Sequence, residues 1–336
     1  MLLRAGAAEA LEKERNPPRR DARAVSLGMV TIERPRILIL GSAGQLGREL
    51  LRSFADMGPV TALDRAHCDL SQPDSIRAQV RAAAPHVILN AGAYTAVDRA
   101  ESERERAYAI NATAPGILAE EARTRGALLV HYSTDYVFDG SKHEPWTEED
   151  APNPLSAYGA SKLAGEQAVL AVGGRFLIFR TSWVYGPHGR NFLFTMLRLG
   201  REREKLSIVD DQFGAPTTSL ELAAATRAIV ADILAGRSGG EADWTGLYHM
   251  TCAGSTSWFG FAQAIFQRAA AQLARAPELT PISSESYPTP ARRPRNSVLS
   301  NEKLAARFGV QLAPWTEALD RVFAEIPSAP DEARGH

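Results

Sequence analysis

The chain has 336 residues, 45% of them hydrophobic and 23% charged, with 38 basic side chains against 39 acidic ones and a formal net charge of −1. That much apolar material builds a core without disulfide or metal staples, as one large domain or two apposed lobes. The near-neutral balance, with no basic run beyond short Arg pairs, removes the electrostatic source of nucleic-acid binding. Two cysteines, Cys68 and Cys252, supply neither a disulfide framework nor a metal-ligand spacing, as expected in a reducing compartment.

No stretch approaches the roughly 20 apolar residues of a spanning helix, and no apolar signal core opens the chain. The expected setting is therefore cytoplasmic, with no membrane partner. Residues 1–34 carry alternating charges and Pro17-Pro18 and read as a poorly ordered extension, with Met29 as an alternative start. Residues 326–336 read as a tail.

From Arg36 onward a short apolar run, a glycine turn and a helix recur. Ile37-Leu38-Ile39-Leu40 is the first strand, and Leu46, Leu50 and Phe54, spaced by four, mark the helix that follows. Val60 to Leu63 is the second strand, Pro73 to Ala84 a proline-opened helix, and His86 to Asn90 the third strand. A long helical stretch, broken near Pro115, leads to a fourth strand over Ala127 to Tyr132. A polar loop from Asp139 to Pro154 precedes a helix over Ala157 to Val172 and the strand Phe176 to Phe179. The strand runs are continuous rather than alternating, as in strands covered on both faces. The fold class is therefore α/β, a Rossmann-like doubly wound parallel sheet. Residues 35–182 form the expected dinucleotide-binding domain. Residues 183–325, less regular, form a smaller C-terminal substrate lobe with some segments returning to the first domain.

Gly41-Ser42-Ala43-Gly44-Gln45-Leu46-Gly47 lies between strand and helix, the context in which a GxxGxxG run holds a dinucleotide pyrophosphate. Gly41 permits the tight turn, Gly44 lets backbone N–H groups approach phosphate, and Gly47 lets helix and strand pack closely. Asp64, at the end of the second strand, is placed to accept the ribose hydroxyls of an adenosine. Arg65 beside it suits a 2′-phosphate, so NADH and NADPH both remain open.

Tyr158 and Lys162 are four apart on a predicted helix and project from one face. A phenol with an ammonium in reach ionises more easily and serves as a proton donor for a ketone oxygen that receives hydride. Ser133 and Thr134 follow the fourth strand and point to opposite sides, so one hydroxyl reaches the ligand; the pattern does not select which.

These residues resemble the extended short-chain dehydrogenase/reductase superfamily and, within it, the dTDP-4-dehydrorhamnose reductases. The resemblance runs from Arg36 to about Gly309 through Gly41 to Gly47, Asn90 to Asp98, Ser133 to Phe138, Tyr158 to Glu166, Arg180 to Gly186, Asp210 to Thr217 and Arg293 to Ser297. It implies Tyr158 as proton donor, Lys162 as its electrostatic partner and Thr134 as the hydroxyl that polarises the carbonyl. It implies Gly44, Gln45 and Leu46 at the pyrophosphate, Asp69 and Leu70 at the adenine, and Ala93, Tyr94, Thr95 and Tyr132 along the rest of the cofactor. Asp135 and Trp183 would contact the sugar. Arg293, on a proline-punctuated loop of the last matching segment, could pair with a substrate phosphate.

The activity this resemblance implies is NAD(P)H-dependent reduction of dTDP-4-dehydro-L-rhamnose to dTDP-L-rhamnose, with a dTDP-sugar as partner. The family also implies Mg²⁺ and a homodimer, although no acidic cluster in the sequence marks a metal site. His131, His188 and His249 lack metal-ligand spacing and read as core or surface residues. Two rivals share the pattern. One is another nucleotide-sugar reductase, epimerase or dehydratase, of which the dehydratases place a glutamate where this chain has Tyr136; the other, a non-catalytic regulator resembling the methionine adenosyltransferase β-subunit, shares the strand-end motif but is disfavoured by Thr181-Ser182-Trp183.

Overall fold

Ile37-Leu38-Ile39-Leu40 is apolar at every position, so it is stable as a strand only where both of its faces are covered. The computed structural model describes residues 34–273 and 275–326. Apart from Arg34 and Ile326, the expected extension and tail lie outside the described residues.

The first half alternates strand and helix: β1 (Ile37–Leu40), α1 (Gln45–Phe54), β2 (Val60–Leu63), α2 (Pro73–Ala83), β3 (Val87–Asn90), α3 (Val97–Ala100), α4 (Arg104–Tyr108), α5 (Ala114–Arg125), β4 (Leu128–Thr134), α6 (Ala157–Val172) and β5 (Phe176–Thr181). Then come β6 (Val184–Tyr185), α7 (Phe192–Glu202), β7 (Lys205–Val209), β8 (Phe213–Gly214), β9 (Thr217–Thr218), α8 (Ser219–Leu234), α9 (Glu241–Trp244), β10 (Gly246–His249), β11 (Thr256–Ser257), α10 (Trp258–Ala269) and β12 (Glu278–Ile282).

The main sheet has the order β10-β5-β4-β3-β1-β2, and every neighbouring pair is parallel. Alternate side chains of the strands serve opposite faces. Ile37, Ile39, Leu89 and Val130 pack with Leu50 and Phe54 of α1 and Ile229 of α8. Leu38, Leu40, Ile88 and Leu129 pack with Ile76 and Val80 of α2 and Leu118 of α5. The chain leaves β1 toward β2 on one side and returns through β3 and β4 on the other. This reversal opens a crevice beyond the carboxyl ends of β1 and β3.

The expected helix break is present: α4 passes into a π turn over Ala109–Thr113, and Pro115, which has no N–H to donate, sits in the first turn of α5. The fourth strand runs two residues further than its apolar pattern, to Thr134, because Ser133 and Thr134 pair with Arg180 and Thr181 of β5. Beyond residue 183, Leu193 and Met196 of α7, Phe261 and Ile265 of α10, and Leu206 and Ile208 of β7 form a separate core cluster. β10 returns from this region to the edge of the main sheet.

Gly47 lies where α1 crosses the turn after β1, and a Cβ there would stand 2.1 Å from the Gly41 carbonyl oxygen. Backbone cannot step aside as a flexible side chain could. Gly47→Ala is expected to destabilise the protein by about 1–3 kcal/mol. Equilibrium denaturation measures this, and a change below about 0.5 kcal/mol, the ordinary range for a surface substitution, would contradict the close-approach reading.

Candidate active site

The crevice is a cavity of about 900 Å³ bordered by Gly41, Gly44, Gln45 and Leu46, by Asp64, Asp69 and Leu70, by Ala93, Tyr94 and Thr95, and by Tyr132, Thr134, Asp135, Tyr158, Lys162 and Trp183. The structure therefore brings together the expected residues with two exceptions. Gly47 sits behind the loop in its packing role. Arg293 donates to both carboxylate oxygens of Asp98, at 3.1 and 2.9 Å, and to the Ala291 carbonyl. Its guanidinium holds the 289–293 loop against α3 rather than bordering the cavity.

Gly41 takes φ +76°, a left-handed conformation that suits glycine, and a Cβ on it would strike the Gly92 backbone N at 2.6 Å. Gly44 starts α1 in an extended conformation with no side-chain cap, so the first N–H groups of the helix are free for an anionic ligand. Asp64 Oδ1 accepts from the Ala66 and His67 amides and from His67 Nδ1, which hold the carboxyl below its ordinary range. Arg65 borders the cavity beside it. Together, the glycine turn, the uncapped helix and a crevice of this volume fit a nicotinamide dinucleotide.

Asn111, inside the π turn, clamps the opposite wall. Its Oδ1 accepts from the Tyr94 amide at 2.8 Å, and its Nδ2 donates to the Tyr94 carbonyl and to Ser161 Oγ, both at 3.0 Å. One buried amide thus ties the 93–95 loop to α6.

Ser156 caps α6 by accepting from the Gly159 amide, and the helix carries Tyr158 and Lys162 one turn apart. Gly159 leaves no room for a side chain, since a Cβ there would be 2.2 Å from the Tyr136 carbonyl oxygen. Lys162 is only 2% exposed, and its Nζ donates to the Tyr132 carbonyl at 2.6 Å and lies 3.4 Å from His131 Nε2. Burial, opposed by the Glu166 charge, pulls its pKa down to about 8.

Spacing predicted that the ammonium would ease ionisation of the phenol, but the structure weights the influences differently. Burial pushes Tyr158 up to about 12; the Thr134 hydroxyl pulls the other way and the Asp135 charge adds to the rise. The ammonium bonds toward the sheet, so desolvation dominates at the phenol. Tyr158 is thus a firmly protonated donor at neutral pH. Both strand-end residues border the cavity; the Thr134 hydroxyl is the one that eases ionisation of the phenol, while Ser133 Oγ is buried without a partner.

Asp135 is buried beside Thr134, whose hydroxyl donates to its Oδ1 at 3.0 Å. Burial pushes its carboxyl up to about 6, against the hydroxyls of Ser297, Thr134 and Ser182. Trp183 adopts φ +47°, a conformation costing a bulky residue about 1–3 kcal/mol. Its ring stacks on Trp258 with centroids 3.6 Å apart and planes 7° apart. The indole also lies over Gly214, where a Cβ would come within 2.5 Å.

Periodicity and motif spacing missed Arg99, Arg106 and Arg190, which also border the cavity, and Asn111; His131, read as a core or surface residue, lies in the core. Arg190 follows Gly189, which packs on Gln45, and Asn191 Nδ2 donates to Gln45 Oε1 at 2.8 Å across 146 residues of sequence. No short-range pattern announces such a contact. Among the described residues no group of three or more His, Cys, Asp or Glu could hold a metal ion, so the Mg²⁺ expected from resemblance has no identified holder. No helix of the described residues is long and apolar enough to cross a membrane.

The doubly wound sheet, the glycine turn and the Tyr158–Lys162 pair bordering one crevice define a protein of the extended short-chain dehydrogenase/reductase type. Comparison with known proteins narrows this: the chain belongs to the family of the RmlD substrate binding domain, whose model matches residues 35–327. It is 50% identical over 288 residues to the dTDP-4-dehydrorhamnose reductase of Burkholderia thailandensis, covering 84% of this chain and 96% of that protein. The dTDP-4-dehydrorhamnose reductase of Escherichia coli K12 is 44% identical over 298 residues, covering 86% and 97%. Among solved structures, the dTDP-4-dehydrorhamnose reductase of Bacillus anthracis in complex with NADP matches with a TM-score of 0.79 and 37% identity, covering 87% of this chain and 99% of that one.

Because the Asp135 carboxyl is raised above its unfolded value near 3.9, the folded protein binds the extra proton between about pH 4 and pH 6. Stability conferred by the protonated form is present below pH 4 and lost as pH rises through 6. Asp135→Asn should therefore melt a few degrees above the unmodified protein at pH 8, with the gap closing by pH 4. Melting curves across that range check this; a gap that does not change with pH contradicts it.

Proposed function

We propose that this protein catalyses the NAD(P)H-dependent reduction of dTDP-4-dehydro-L-rhamnose to dTDP-L-rhamnose. The observation that carries the reading is the convergence of Tyr158, Lys162 and Thr134 on the cavity that begins at the glycine turn and ends at Trp183. Residues 35–182 take the cofactor in this reading, and residues 183–325 mainly take the sugar nucleotide.

Gly41, Gly44, Gln45 and Leu46 hold the pyrophosphate, Asp64, Asp69 and Leu70 the adenosine, and Ala93, Tyr94, Thr95, Tyr132 and Lys162 the remainder. A reduced nicotinamide held there supplies the hydride for the keto carbon. The protein's own work is protonation and orientation. Tyr158 hydrogen-bonds the ketone oxygen, polarises it, and transfers its proton as negative charge develops there. Thr134, at the end of β4, eases ionisation of the phenol and so favours the phenolate left behind. The Lys162 ammonium sits one helical turn away and counters the same charge. Trp183 offers the sugar an apolar face, and Asp135 accepts from its hydroxyls.

Tyr158→Phe should lower kcat by at least about a hundredfold while changing the dissociation constant for NADPH less than about threefold, the separation expected when only a proton donor is lost. Steady-state rates with dTDP-4-dehydro-L-rhamnose, paired with fluorescence titration of the cofactor, measure both. Near-normal turnover would overturn the assignment of the donor.

Arg65 beside the adenosine position supports use of NADPH, and Asp64 supports use of NADH. Arg65→Ser should raise KM for NADPH about tenfold or more and leave KM for NADH nearly unchanged, since only the former carries the 2′-phosphate. Equal changes for both cofactors would remove Arg65 from that role.

A further inference from the structure

Beneath Lys162 lies a buried chain of polar groups that the proposed reaction does not use. His131 on β4 and Asn90 on β3 are register partners across the parallel pair and are each 1% exposed. The Asn90 amide lies 3.1 Å from His131 Nδ1, and His131 Nε2 lies 3.4 Å from Lys162 Nζ. An imidazole this deep, next to an ammonium, stays neutral, so one nitrogen carries a proton and the other a lone pair.

An ammonium has only N–H bonds to give. A bond from Lys162 to His131 therefore requires the lone pair on Nε2 and the proton on Nδ1. That proton in turn requires an acceptor on Asn90, namely Oδ1, which is buried without a partner when Nδ2 faces the ring. Amide orientation and imidazole tautomer are set together by the network, and only one combination satisfies the ammonium.

We propose that His131, oriented by Asn90, is a positioning residue that accepts a hydrogen bond from Lys162 at Nε2 and so fixes the ammonium one turn from the Tyr158 phenol. This rests on the reading of Lys162 given above. Two of the three N–H bonds of the ammonium are then committed, to the Tyr132 carbonyl and to His131, and the third is free for the cavity that Lys162 borders. Of the other titratable groups around Lys162, Glu166 of α6 accepts from Arg180 of β5 at 2.9 and 2.7 Å, and Asp135 accepts from Thr134 at 3.0 Å. His131 is thus the side-chain acceptor left for the ammonium, and it favours the charged form.

Two measurements test this. Nitrogen-15 NMR of histidine-labelled protein, with the His131 signals assigned by their loss in His131→Gln, should show a neutral ring protonated at Nδ1. The tautomer is read without substrate, so it stands apart from the assignment of the reaction, which Tyr158→Phe tests. In turnover assays, His131→Leu should reduce kcat about tenfold or more, leave KM for the sugar nucleotide within about threefold, and move the alkaline limb of kcat to lower pH. His131→Gln, whose Oε1 falls near the position of Nε2, should recover most of that loss. A ring protonated at Nε2, a leucine variant with unchanged kcat and pH profile, or a glutamine variant as slow as the leucine variant would each overturn the proposal.

Discussion

Lys162 carries a positive charge into a region of the fold where almost none of its surface meets water, and the helix bearing it packs against α5, the π turn and β4. A buried charge is tolerated only where dipoles and partners replace its hydration. Here the Tyr132 carbonyl and the His131 ring receive the ammonium, and one turn further on Glu166 is tied to Arg180 of β5. These bonds orient α6 on the sheet. Since Tyr158 lies on the same face one turn earlier, the same restraint sets its phenol beside Thr134 at the end of β4.

The remainder of the site is arranged around that fixed helix. The glycine turn after β1 depends on absent side chains, and the loop at 93–95 depends on a single buried asparagine in a π turn, a helical irregularity that often accompanies function. On the far side, Trp183 is held in a left-handed backbone conformation by its stack on Trp258 and by the space that Gly214 leaves. The bond between Asn191 and Gln45 links the start of α7 to the start of α1 at the glycine turn, so segments on either side of residue 183 share a contact.

Much of this was legible in the sequence wherever the determining interactions are local. The apolar strand runs, the strand–turn–helix glycines and the four-residue spacing of Tyr158 and Lys162 each need only a few consecutive residues to be read. Arg293 was not legible, because its partner Asp98 lies 195 positions away and only the fold shows the guanidinium to be engaged. Asn111 and His131 gave no signal, because a lone buried polar residue has no period. The raised pKa of Tyr158 is not legible either, for a different reason: spacing reveals that an ammonium is near, whereas the balance between that charge and desolvation depends on what else surrounds the ring.

What separates a one-way reduction from a reaction that returns its hydride is the fate of the transferred hydrogen. The most direct measurement is mass spectrometry and NMR of the sugar nucleotide formed from dTDP-4-dehydro-L-rhamnose with cofactor deuterated at the transferring position. One deuterium retained at the former keto carbon for each cofactor oxidised is the result this account requires. An unlabelled sugar, or label recovered in the cofactor, would contradict it.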